Sequence, residues 1–450
     1  QKQFDIVKGL LNRPDVETIY VCTDSGREGE YIYRLVAQMA GVKDKKQRRV
    51  WIDSQTEEEI LRGIREAKDL SSYDNLANSA YLRAKEDYLM GINFSRVLTL
   101  RYGNSVSSYL KSKYQAIAVG RVMTCVLGMV VRREREIRSF VKTPFYRVIS
   151  GIALEGEKFD GEWRAVEGSR YFQSPYLYKE NGFKEKKHAQ ELIDFLSTEQ
   201  PLRCSVDKIE RKKENKNPPL LFNLAELQNV CSKLFKISPD ETLRITQELY
   251  EKKLVTYPRT DSQYLTKDMQ ATAASLILWL RDNMPFGKGY AGEPDIDRVT
   301  DDSKVTDHHA IIPTVEIART DLSELPSGER DVLTLLAVRL LCATTQVHRF
   351  EAVTAILDCQ GYTFTAKGKT ILQSGWKEVE RIHRMSIRQS ETEHKENEAV
   401  ALPVLQEGQT FEAVSASLRE GKTSPPKHYT EDTLLSAMEN AGAEDMPEDA

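Results

Sequence analysis

A β-rich texture that breaks off near residue 207 and returns near residue 352 constrains the fold of this chain more than any other feature. From Phe145 to Asp207, short alternating segments such as Tyr146-Arg147-Val148-Ile149-Ser150 and Trp163-Arg164-Ala165-Val166 are separated by glycine turns and one helix near 187–197. The same texture resumes over 352–415, at Ala352 to Asp358, Tyr362 to Ala366 and Thr410 to Ser417. A period of two marks strands with one buried face, and such a face must be covered by another element. The two stretches are therefore expected to build one discontinuous β domain. What lies between, about 217–350, is then an insertion with a core of its own. A chain of 450 residues leaves room for two to four domains.

The insertion is strongly helical. Asn223-x-x-Glu226 opens a helix whose apolar positions Leu224, Leu227, Cys231, Leu234 and Phe235 keep helical spacing. Ser238-Pro239-Asp240-Glu241 opens the next, with an N-cap, proline in the first turn and glutamate at N3; only Lys236 and Ile237 separate the two. A strand over Leu254-Val255-Thr256-Tyr257-Pro258-Arg259-Thr260-Asp261-Ser262 is expected to follow, giving a winged-helix-like arrangement. Proline after Tyr257 forces the tyrosine into extended geometry. Residues two apart then share a side, so the Arg259 guanidinium can meet whatever the Tyr257 hydroxyl attacks, and a guanidinium fits a phosphate in bidentate fashion. With a pKa of about 10, a phenol needs cations or a metal nearby to act as a nucleophile at neutral pH.

Near the N-terminus, 18–22 reads as a buried strand, 30–40 as a helix and Arg49 to Ile52 as a second strand, followed by a helix opened by the capping box Thr56-x-x-Glu59. Strand, helix, strand, helix implies a parallel sheet with its chemistry at the carboxyl ends of the strands, where Asp24 and Glu28 fall. Two carboxylates on one short loop suit Mg2+, while Glu30 reads as an acid placed to suit a helix dipole. Residues 75–100 read as a long helix broken at Gly91, and Gly120-Arg121 opens another running to about Ser139, a ready phosphate site. After a polar, glycine-rich loop over 287–306 comes Asp307-His308-His309, where extended geometry turns the two histidines to opposite sides. Residues 384–399 read as an exposed loop, and 425–432 lead into a helix with Thr430 as N-cap.

Composition narrows the class. With 29% charged and 40% hydrophobic residues, no run of eighteen apolar residues and no signal peptide, membrane insertion and secretion are not expected. Six scattered cysteines without a C-x-x-C pair suggest neither zinc nor a disulfide framework, in keeping with a reducing cytoplasm. A net charge of −4 means that any nucleic-acid site must be a local basic surface; Arg132, Arg133, Arg135 and Arg138, and the run Lys208, Arg211, Lys212, Lys213, Lys216, are candidates.

The nonapeptide at 254–262 resembles the active-site tyrosine segment of type IA DNA topoisomerases. Thr23-Asp24-Ser25-Gly26-Arg27-Glu28-Gly29-Glu30, Val119-Gly120-Arg121-Val122-Met123-Thr124 and Asp307-His308-His309-Ala310-Ile311-Ile312-Pro313-Thr314 resemble the same family, in its order, and the doubled histidine points to the topoisomerase III branch. The resemblance implies an α/β plus α+β multidomain protein in a toroidal arrangement. Its parts would be a partial Toprim parallel sheet (1–70), a helical groove domain (71–143, resuming at 425–450), a β-rich arch (144–216 and 352–424) and the winged-helix-like domain with the tyrosine (217–351). It implies an ATP-independent isomerase in which Tyr257 forms a 5′-phosphotyrosyl link, with Arg259, His308 and Arg121 neutralising the phosphate and Mg2+ at Asp24 and Glu28. Arg83, Asp87, Asn93, Arg96, Arg121, Asp261, Ser262 and Lys427 would contact DNA. The implied partners are single-stranded and negatively supercoiled or catenated DNA, bound by a monomer in the cytoplasm, at the nucleoid. Departures are Gly26, where the Toprim motif Asp-x-Asp-x-Glu has its second acid, and Met123, where glutamine is usual. By resemblance both ends of the family's core are missing, including a first-strand glutamate and lysine. Two other readings compete: a single-stranded-DNA-binding scaffold without cleavage, and a Toprim nuclease or primase-like enzyme in which Tyr257 is structural.

Overall fold

A computed structural model describes residues 1–154, 157–198, 202–387, 402–439 and 441. The N-terminal unit runs α1 (Lys2–Leu11), β1 (Thr18–Val21), α2 (Arg27–Ala40), β2 (Lys46–Arg49), α3 (Glu57–Arg65) and β3 (Lys68–Asp69). β1 and β2 pair in parallel, Val21 opposite Arg49, and β3 adds antiparallel. The second strand thus ends at Arg49, where a strand over Arg49 to Ile52 was expected. Arg49 is fully buried, its guanidinium bonded to Glu30 at 2.8 Å and to the carbonyls of Val21 and Thr23. Glu30 is therefore half of a buried ion pair, not an ornament of the helix dipole; Arg34 also binds it at 2.9 Å. Thr56 stands at the N-cap of α3 but makes no capping bond; its hydroxyl meets that of Ser54 at 3.1 Å, and Glu59 turns to the Asp53 N–H and to Arg62.

α4 (Asp74–Leu110) and α5 (Arg121–Ser139) follow. α4 runs unbroken through Gly91, since one glycine costs only about 1 kcal/mol in a long helix.

β4 (Pro144–Leu154), β5 (Glu157–Trp163), β6 (Leu177–Lys179), β7 (Gly182–Phe183), α6 (Lys186–Leu196) and β8 (Leu202–Lys216) precede the helical insertion. The insertion carries α7 (Leu224–Phe235), α8 (Pro239–Glu251), α9 (Gln270–Asn283) and α10 (Ser327–Thr344). β9 (His348–Cys359), β10 (Tyr362–Gln373), α11 (Trp376–Ile387), β11 (Thr410–Lys422) and α12 (Glu431–Glu439) come after it. Strands from both sides of the insertion form one eight-stranded sheet, ordered β11-β8-β9-β10-β5-β4-β7-β6. An additional pairing of β11 with β4 closes six of them into a ring. Phe159, Trp163, Phe183, Leu192, Leu357 and Phe364 fill its core. The strand expected at 163–166 lies earlier, at β5, where Phe159, Gly161 and Trp163 are the buried positions. Cys204 and Cys359, in facing positions of β8 and β9 with Cα atoms 4.4 Å apart, form a disulfide, which corrects the expectation of none. Their spacing of 155 residues hid the pair, because register is set by the tertiary fold.

The insertion has a separate core around Leu227, Leu249, Ile277, Leu336 and Leu340. Asn223 and Ser238 cap α7 and α8, accepting from the N–H groups of Glu226 and Glu241 at 2.8 and 3.2 Å. Of the loop expected over 384–399, residues 384–387 belong to α11 and the rest lies outside the described residues.

Candidate active site

The tyrosine segment is extended but is not a strand. Thr256 N–H donates to the Ile312 carbonyl (3.0 Å), Thr314 N–H to that of Leu254 (2.9 Å), and Val255 bridges Pro313. Pro258 and Pro313 lack N–H groups, so the ladder cannot extend past these contacts. Side chains complete the splice: the hydroxyls of Thr256 and Thr260 donate to the carbonyls of Ala310 (3.1 Å) and His308 (2.7 Å). Tyr257 is thereby fixed with 7% exposure, its N–H donating to the Asp53 carbonyl at 2.8 Å. Its ring lies 4.3 Å from that of His308 and 5.4 Å, edge-on, from Tyr250.

Burial, above all, and then the Asp24 carboxylate push the Tyr257 phenol above its ordinary pKa; the Arg259 guanidinium works the other way. Arg259 also holds Gln247 at 2.8 Å. His308 is 2% exposed, with Nδ1 at 2.5 Å from the Asp53 carboxylate and Nε2 on the Ser25 carbonyl. Trp51 stacks over His308 at 6.0 Å and over Tyr73 at 5.3 Å, and its Nε1 donates to the Asp307 carbonyl. His309 turns away, its Nδ1 at 2.8 Å from the Ala310 carbonyl.

The acidic loop reaches this centre because of Gly29. A Cβ there would sit 2.0 Å from the Asp24 carbonyl oxygen, so only glycine lets the loop fold over the start of α2. Nothing lies within 4 Å of a Cβ at Gly26, whose extended backbone suits any residue. Glu28 is paired with Arg83 of α4 at 2.8 Å. Among the described residues no three His, Cys, Asp or Glu cluster at metal-binding distance. Asp24 and Glu28 are each hard-oxygen donors of the type Mg2+ accepts, one or two at a time with its waters kept, and Glu28 is engaged here by Arg83.

The other expected DNA contacts lie on different surfaces. Arg121, at the start of α5, binds Asp87 of α4 at 2.8 Å, and both are exposed. Asn93 donates back to the Leu89 carbonyl, and Arg96 is exposed. The Lys427 carbonyl accepts from Arg133 at 2.9 Å, while that guanidinium lies 4.0 Å over the Tyr429 ring. Asp261 accepts from Thr306, and the buried Ser262 hydroxyl is turned into the Lys304 carbonyl at 2.8 Å. In the basic run of β8, Lys208, Arg211 and Lys212 are neutralised by Glu210, Glu351 and Glu214. Reading the sequence missed Ser25, Trp51 and Asp53. Their one signal was position, just past the carboxyl ends of β1 and β2, where open parallel sheets gather their chemistry.

Residues 71–443 match the family described as DNA topoisomerase. The chain is 34% identical over 448 residues to DNA topoisomerase 3 of Bacillus subtilis, and 32% identical over 447 residues to that of Staphylococcus aureus. In each case 98% of this chain and 56% of the relative are covered, so the chain spans about half the length of the curated relatives it matches. Full-length topoisomerase I from Thermotoga maritima shares the fold, with a TM-score of 0.71 at 21% identity over 98% of this chain and 66% of that one. The tyrosine segment, the acidic loop and the paired histidines thus stand within a chain that belongs to the type IA DNA topoisomerases and is similar to topoisomerase 3.

Proposed function

We propose that this chain carries out the cleavage and resealing of one DNA strand through a 5′-phosphotyrosyl intermediate, and that the strand passage between the two steps relaxes supercoiled DNA or unlinks catenated DNA. The observation that carries the reading is the burial of Tyr257 with its ring 4.3 Å from that of the buried His308, on a segment that also carries Arg259. The phenol oxygen forms a bond to phosphorus as the bond from phosphorus to the 3′ oxygen breaks. The proton given up by the phenol is matched by the one taken up at the 3′ hydroxyl, and one ester replaces another without ATP.

Burial holds the resting phenol protonated, so its activation depends on the cations that arrive or are already set beside it. Arg259 is placed to clamp the phosphate and His308 to stabilise its developing charge, a preorganised electrostatic term of the kind that dominates such reactions. Asp24 and Glu28 would hold Mg2+, whose charge would fix the cleaved end for resealing. Arg83, Arg96, Arg121 and Lys427 would track a single strand along α4 and α5, and Asp87, Asn93, Asp261 and Ser262 would line its path. On this reading the chain works as a monomer on the DNA of the nucleoid.

The test is a single-stranded oligonucleotide labelled at its 3′ end, incubated with the chain and Mg2+ and quenched with denaturant. Label should migrate with the protein and be absent for Tyr257→Phe. Tight binding without a covalent species would leave a DNA-holding scaffold, and an adduct that survives Tyr257→Phe would make the tyrosine structural. Binding should weaken with salt at a log–log slope of about −0.7 per phosphate neutralised.

A further inference from the structure

We infer that Asp53 is a positioning residue for cleavage, acting through His308; the inference rests on the reading of Tyr257 as nucleophile. Asp53 lies beyond the end of β2, in the N-terminal unit, yet two of its groups hold the tyrosine centre. Its carbonyl accepts the Tyr257 N–H at 2.8 Å, and its carboxylate, 26% exposed, meets His308 Nδ1 at 2.5 Å. Asp53 is itself tied down, since its N–H donates to Glu59 at 3.1 Å. On the far side of the ring, His308 Nε2 faces the Ser25 carbonyl.

Both imidazole nitrogens therefore face oxygens that only accept, an ionised carboxylate and a carbonyl. The Asp53 carboxylate accepts from Nδ1–H, which sets the tautomer and the plane of the ring. Asp53 thus fixes the orientation of His308, whose ring lies 4.3 Å from that of Tyr257. The same bonds join the N-terminal unit to the tyrosine-bearing insertion, so orientation of the histidine and closure of the two units against each other are one event.

Because the backbone carbonyl survives any substitution at 53, side-chain variants isolate the path through His308. Asp53→Asn should slow formation of the Tyr257 adduct by about 10- to 100-fold, the usual effect of losing a group that orients another. In a His308→Ala background the same change should have little further effect, because the group it positions is gone. Equal losses in both backgrounds, or none in either, would overturn the inference in favour of a merely structural Asp53. A second readout needs no turnover: with 15N-labelled histidine, the ring Nδ1–H signal of His308, identified by its loss in His308→Ala, should be present in the wild type and should shift or vanish in Asp53→Ala. A wild-type chain that forms no Tyr257-dependent adduct would overturn the nucleophile and the cleavage role of Asp53 together. An intact ring signal in that case would still establish the Asp53–His308 bond and separate the two failures.

Discussion

The tyrosine centre and the helices α4 and α5 treat charge in opposite ways. At the centre, Tyr257 and His308 are 7% and 2% exposed, and their partners are backbone carbonyls and the partly buried Asp53 carboxylate, reaching across from another unit. Along α4 and α5 the charges are exposed and satisfy each other, Arg83 with Glu28 and Arg121 with Asp87. Between them stand solvent-facing rings such as Tyr88, Phe94 and Tyr109, the last 86% exposed. Exposed ion pairs are worth about 0–1 kcal/mol, so they can be exchanged for phosphates at little loss. Buried bonds cannot be exchanged in this way, because a partner left alone there loses its solvation as well. One region is therefore built to hold geometry, the other to trade partners.

Substitutions should separate the two. The largest effect is expected from Gly29→Ala, whose Cβ would overlap the Asp24 carbonyl; a loss of about 3 kcal/mol in denaturant unfolding, with loss of the adduct, would follow from such overpacking. Next, His308→Ala should lower the adduct rate by about 100-fold and stability by about 2 kcal/mol, since Asp53 would be left without its partner. An unchanged rate would show that the buried histidine serves structure alone. Gly26→Asp should be tolerated within about 0.5 kcal/mol, because its Cβ meets nothing, while lowering the Mg2+ concentration needed for resealing by adding a third carboxylate. Asp87→Asn, on α4, should leave stability within about 0.5 kcal/mol and tighten single-strand binding by freeing Arg121, as fluorescence anisotropy would report.

The smallest effect concerns pH. Burial acts on Asp53 most strongly and pushes its pKa up, but the hydrogen bond from His308, with the nearby His309 and Arg62, outweighs it and holds the carboxyl below its usual value. A depressed pKa contributes stability above the unfolded value, about 3.9, which is lost as pH falls through the folded one. The stability difference between wild type and Asp53→Asn should therefore narrow as pH is lowered below about 4. A difference that held constant into acid would mean that the carboxylate is not what His308 binds.

Local patterns with a mechanism were readable in the sequence: the caps at Asn223 and Ser238, the extended geometry imposed on Tyr257 by Pro258, and the return of β texture after the insertion. The misreadings share a physical cause. The run Val50-Trp51-Ile52 reads as a strand because apolar residues fit either a strand or a loop laid over a core, and only the buried Arg49–Glu30 pair decides where β2 stops. Thr56 makes no cap because its hydroxyl is engaged by Ser54, a contact set by how the loop after β2 folds. Asp53 itself was invisible for the same reason: its partner, His308, is 255 residues away.

The closed sheet has a consequence for how the protein is made. β4 is completed early, but the strand it pairs with, β11, is 268 residues further on at the Ile149–Ser417 contact. The helices of the insertion, by contrast, meet through contacts close in sequence, which form fastest. On a ribosome the tyrosine-bearing unit can thus collapse while β4 still waits with an open edge, a template for wrong pairings. The ring closes only once residue 422 has emerged, and the order of assembly is written into the order of the strands.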